Sequence, residues 1–184
     1  MAEERQTPIQ AFLARLKRCV DQGDRGTLAD LRHGFSPATE HRAWPHLAAW
    51  GVDLRNDTQR AIWITVAAGF ATLNETKRCG NMGATMRRLA QGGEGKQADR
   101  KALESFEGRF RRLLTCTTRK ELCSRLQGVV RAAKQKGAQI DLEQLFWDLE
   151  CWPVSSRGRD VRIEWAQAYW GVAPADKEME GLES

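Results

Sequence analysis

Apolar residues recur along this chain at spacings of three and four and never alternate with polar ones over a sustained run, which predicts helices and no sheet. The pattern is densest between Asp141 and Trp170. Leu142, Leu145, Phe146, Leu149 and Trp152 draw a stripe down one helix, which Pro153 ends. After the turn Ser155-Ser156-Arg157-Gly158, a second stripe follows in Val161, Trp165, Ala168 and Tyr169. The stretch holds four of the seven tryptophans and the only tyrosine. It is expected to form a core-building helix pair, with Arg157, Arg159 and Arg162 on its outside.

The preceding chain reads the same way. Thr7-Pro8-Ile9-Gln10 places a capping hydroxyl, a proline and a glutamine where a helix start needs them. Phe12, Leu13, Leu16 and Val20 then continue a helix to about Gln22. Asp24 caps a short second helix that Gly34 is expected to terminate. Pro37 and Pro45 interrupt the segment around Trp44 and Trp50. From Asn56 to Leu73 apolar residues nearly encircle the helix, so it should be buried on most sides. A short helix through Met82, Met86 and Leu89 follows.

Three glycines fall within residues 92–95, too many for a helix to persist, so residues 92–97 are read as a joint. Beyond it, Leu103, Phe106, Phe110, Leu113 and Leu114 form one stripe. Thr118-Arg119-Lys120-Glu121 is a capping box for the next helix, which buries Leu122, Leu126, Val129, Val130 and Ala133 and ends at Gly137. The expected fold is all-α, with eight or nine helices in two small helical-bundle lobes and no sheet. The lobes are residues 1–91 and 98–171, and residues 172–184 are an acidic tail.

At 184 residues and 41% hydrophobic content the chain can bury one good core or two small ones. No apolar run approaches the roughly 20 residues that cross a bilayer, and the N-terminus has no hydrophobic signal region, so a cytoplasmic protein with no membrane partner is expected. The five cysteines include no CxxC pair and are odd in number. Buried free thiols are therefore expected, with neither a disulfide framework nor a zinc site. Trp63, Trp147, Trp152, Trp165 and Phe110 fall mostly on or beside the apolar stripes, which assigns them chiefly to the core.

Catalytic patterns are missing. There is no phosphate loop, since the glycines at 92–95 follow no strand, and no nucleophile with a base or metal-spaced histidine motif. Asp148 and Glu150 lie two apart on a helix, pointing about 200° from each other, so they suit solvation or a salt link better than a shared metal. The expectation is a protein that is not an enzyme and needs no cofactor. The remaining catalytic alternative is a nuclease using His33, His41 and His46.

Charge is the informative property. The net charge is +5, but residues 172–184 carry four acidic residues against one lysine, which leaves about +8 on the rest. The cations recur on helical faces. Arg25 and Arg32 lie two turns apart on one side, and Arg78, Arg87 and Arg88 sit near the joint. In the second half Arg109 and Arg111 project to the flanks of the apolar stripe and Arg112 to its far side. Arg119 and Arg125 follow on the next helix, whose outer face also keeps Arg131, Lys134 and Lys136 available. Guanidinium groups along a groove grip phosphates without reading bases, so the ten arginines named up to Arg125 are the candidate nucleic-acid-binding residues.

The residues Asp141-Leu142, Leu145, Asp148-Leu149, Trp152, Arg162, Trp165-Ala166 and Tyr169-Trp170 resemble the C-terminal signature of the CasB family. That family is the small subunit of Cascade, the type I-E CRISPR surveillance complex. Arg25-Gly26, Leu28-Ala29, Leu31-Arg32 and Gly34 resemble its early motif, and Phe106, Arg109-Phe110-Arg111 and Leu113-Leu114 its middle block, so the likeness spans about Ile9 to Gly171 in the family's order. His33 stands where the family commonly has arginine, which should weaken the early basic patch. Tyr169 replaces a common phenylalanine neutrally.

The resemblance implies a two-lobed, all-helical, non-catalytic subunit that pairs with a second copy of itself. It implies contacts with the crRNA-bearing backbone subunits and the large subunit. It further implies that the basic surface holds the displaced non-target DNA strand and stabilises the R-loop. A helical adaptor acting only through protein contacts is the rival reading.

Overall fold

The computed structural model describes residues 6–92, 100–154 and 159–171. The expected joint beyond Gly92, the 155–158 turn with Arg157, and the acidic tail lie outside the described residues. Among those described there are nine α-helices: α1 (Pro8–Asp21), α2 (Arg25–Arg32), α3 (Trp44–Ala49), α4 (Asp57–Leu73), α5 (Met82–Ala90), α6 (Arg100–Leu114), α7 (Arg119–Lys136), α8 (Leu142–Cys151) and α9 (Val161–Trp170). Two 3₁₀ turns, His33–Phe35 and Glu40–Arg42, lie between α2 and α3. The only extended pairing among the described residues is one isolated antiparallel bridge between Val154 and Asp160. The fold is all-α.

Side-chain caps set most of the helix starts. Thr7 Oγ1 accepts from the Gln10 amide while Gln10 Oε1 accepts from the Thr7 amide, a reciprocal capping box. Asn56, Asn81, Asp141 and Asp160 each accept a first-turn amide of the helix that follows. On α7 the expected box is displaced by one residue. Thr118 accepts from the Glu121 amide, but the Glu121 carboxylate accepts from Thr117 rather than Thr118.

Gly34 does not stop α2. The chain tightens into the 3₁₀ turn through it, and a Cβ there would lie 2.9 Å from Ile64 Cγ2. The glycine serves close packing, not a left-handed cap.

α4 is the buried axis. Ile62, Ile64 to Ala71 and Leu73 are all buried along it, and it packs against α7, α2 and α8. α5 packs on α6 and on α9. At the α5/α9 crossing a Cβ on Gly83 would overlap the Trp165 carbonyl, so only glycine lets the two backbones approach. One buried cluster takes residues from both sides of the 92–97 segment.

The α8/α9 pair forms the aromatic core that its stripes predict. Trp152 and Trp165 are buried with ring centres 5.1 Å apart, and Trp152 Nε1 donates to the Cys116 carbonyl at 3.2 Å. One assignment changes: Trp147 lies 40% exposed instead of in the core. Of the two roles expected for Asp148, the salt link holds: its exposure is 0%, and its carboxylate accepts from Trp165 Nε1 at 2.7 Å, Gln144 Nε2 at 2.8 Å and Arg159 Nη2 at 2.7 Å. Burial pushes its pKa up, against the pull of those donors. Glu150 instead accepts from Gln59 Nε2.

Candidate nucleic-acid interface

The amphipathic helices α6 and α7 bury most of their apolar stripes inward, with Leu103 at the start of α6 exposed instead, and leave a groove of about 590 Å³ between their outer flanks. Arg109 and Arg112 line it from α6, one turn apart. Arg125 and Arg131 line it from α7, with Ser105 and Gln135 at one end. No carboxylate is among the lining residues.

Each guanidinium has a definite setting. Arg109 lies 5.1 Å from the centre of the Phe106 ring, and Lys136 Nζ lies 4.8 Å from that same ring. Arg112 Nε donates to the Gly108 carbonyl at 3.0 Å. Arg125 pairs with Glu121 at 3.0 Å; that hydrogen bond, helped by the Thr117 amide, holds the Glu121 carboxyl below the usual range. Arg131 is exposed on the opposite flank of the groove from α6.

Gly128 lies between Arg125 and Arg131 and also lines the groove. No atom lies within 4 Å of where its Cβ would be. Glycine inside a helix costs about 1 kcal/mol relative to alanine, and packing does not ask for it here. Its effect is to leave backbone uncovered among cations.

The structure thus gathers Arg109, Arg112 and Arg125 from the expected set. Arg112 faces the groove beside Arg109 rather than the far side. Arg131 joins them, although six residues place it about 120° round α7 from Arg125, so helical spacing alone does not single it out.

The other expected residues lie elsewhere. Arg25 is exposed at the start of α2. Arg32 donates from Nε to the Ala71 carbonyl at 2.6 Å and from Nη2 to Asn74, closing the end of α4. Arg78 is 85% exposed and 3.9 Å from Glu143. Arg87 donates to the Gly171 carbonyl, and Arg88 to Cys79 and Thr85. Arg119 donates to the carbonyls of Glu150 and Trp152 at 2.7 and 3.2 Å, capping the end of α8. Arg111 turns away from the groove to Glu107 at 2.7 Å.

The histidine region has other partners. His46 lies 3.3 Å from Asp30, whose carboxyl that contact holds low, and His33 lies 3.0 Å from Arg42. His41 meets Trp44 edge-on. No three His, Cys, Asp or Glu side chains among the described residues are grouped closely enough to hold a metal ion. All five cysteines are free. No helix of the described residues is long and apolar enough to cross a membrane.

Comparison with known families matches residues 12–170 to CRISPR-associated protein Cse2 (CRISPR_cse2). No curated protein and no solved structure matches the chain.

Proposed function

The chain belongs to the CRISPR-associated Cse2 family, whose members are subunits of the Cascade complex, and we propose that its α6/α7 groove holds a nucleic-acid backbone without reading bases. Four guanidinium groups lining one groove carry this reading; among the described residues only Arg125 of the four is paired to a carboxylate, that of Glu121, which lies outside the lining. The backbone would be that of the DNA strand displaced when the guide pairs with its target. Phosphate contacts that exist only after strand opening favour the open state by their own binding free energy. Nothing in this mechanism requires bond chemistry from the subunit, and none is assigned to it.

The test is fluorescence anisotropy of labelled single-stranded and duplex DNA over a range of salt. About four phosphate contacts to a single strand give a slope of log K against log salt near −3. Arg109→Ala/Arg131→Ala is expected to flatten that slope by about 1.4 and weaken all sequences alike. Arg87→Ala, outside the groove, is expected to leave the slope unchanged. A slope indifferent to both variants would refute the groove.

Exposed apolar side chains favour a second reading, in which the chain works through protein contacts alone, with a second copy or with other Cascade subunits. Trp147 and Ile163 are 40% and 58% exposed. Under that reading Trp147→Ser and Ile163→Ser abolish assembly while the groove variant assembles and functions normally.

A further inference from the structure

On the other side of α6 from the groove, Trp170 ends α9 with 45% of its surface exposed. It meets Phe110 and Tyr169 at steep angles, with ring centres 5.2 and 5.1 Å away. The Arg111 guanidinium lies 5.2 Å from the centre of the Trp170 ring. That guanidinium is fixed by two donations to one Glu107 oxygen, at 3.1 and 2.7 Å.

This spot differs in kind from the groove. Glu107 answers the charge of Arg111, so little net charge is offered to a phosphate, which would also meet the Glu107 carboxylate. What the spot does offer is a planar guanidinium and an open indole, two surfaces on which a nucleobase stacks. A base has a π-face and no net charge, so Glu107 does not repel it. Arg111 and Arg112 are consecutive on α6, so the spot and the groove are separated by one helix width, about 10 Å.

We propose that Trp170 and Arg111 form a stacking site for an unpaired base of a single strand whose phosphates occupy the α6/α7 groove. The proposal rests on the groove reading and adds strandedness to it. In a duplex the bases are stacked on one another and none is presented to the indole. Any of the four bases serves, because stacking uses the ring face rather than the hydrogen-bonding edge.

The experiment compares a labelled oligothymidine with an abasic strand of equal phosphate number, using the full chain, Trp170→Ala and Trp170→Phe, with far-UV circular dichroism as the check on folding. The unmodified protein is expected to prefer the strand with bases by about five-fold or more. Trp170→Ala should erase that preference and Trp170→Phe keep part of it, all three with the same salt slope. Equal binding of both strands with the slope intact overturns the stacking site and leaves the groove standing. No salt-dependent binding of either strand, unaffected by Arg109→Ala/Arg131→Ala, removes the groove and the stacking site together. If Trp170→Ala retains the base preference but fails to join the other Cascade subunits, Trp170 is a protein contact and the proposal is wrong.

Discussion

Asp148 shows how much one side chain can hold in place. Its carboxylate ties α8 to α9 through Trp165 and to Arg159, which also donates to Glu164 at 2.8 Å. Removing the carboxylate leaves the buried Trp165 Nε1 without its acceptor, at a cost of about 1–3 kcal/mol, while Arg159 keeps Glu164. Asp148→Ala is therefore expected to lower stability by that amount in urea titrations. Asp148→Asn should lose less, since its amide oxygen still accepts from Trp165. A second residue sets a pH limit. Burial pushes the Cys123 thiol from an ordinary 9.0 to about 11. Below pH 9 its contribution is complete; above that the unfolded chain ionises first, and stability falls by about 1.4 kcal/mol per pH unit until the folded thiol titrates as well. Urea midpoints at pH 8 and pH 10 check this, with Cys123→Ala expected to fall less. The sequence points to buried thiols and allows Asp148 a salt link, but it does not name the partners. Those of Asp148 beyond α8 come from α9 and the segment before it. Arg119 and Arg131 are likewise indistinguishable as cations on one helix, and only the arrival of α8's last carbonyls beside Arg119 separates them.

At the scale of elements, the buried faces of α6 and α7 are legible in the sequence except at the ends of the α6 stripe, where Leu103 is exposed and Leu114 only partly buried. Their apolar stripes fixed which faces are buried, and the groove is what the remaining faces make when the two helices pack. What periodicity does not supply is the rotation of one helix against the other, and so periodicity alone points Arg112 to the far side. Gly128 offers a test of the groove that leaves its charges alone. Since its helix interior is open to a Cβ, Gly128→Ala should raise stability by about 0.5–1 kcal/mol and shift the urea midpoint upward. The same methyl covers the backbone among the arginines, so DNA affinity should drop while folding improves. A variant that gains stability and keeps full affinity would mean that the glycine has no part in binding.

For the molecule as a whole, charge decides more than shape. The net +5 combines a positive body with four acidic residues against one lysine in residues 172–184. Ending the chain after Gly171 should strengthen binding to any DNA at low salt, and the gain should fade as salt rises, because long-range repulsion is screened within about 8–10 Å at physiological strength. Anisotropy at two salt concentrations measures it; a gain independent of salt would point to a cause other than net charge. The packing of α4 against α7 has a different consequence, for synthesis. α4 is apolar nearly all round, yet α7 begins only at Arg119, and α9, which covers α5, only at Val161. A ribosome adding about 5–20 residues per second leaves those faces bare for seconds, in which the nascent chain is exposed to chaperones and to aggregation.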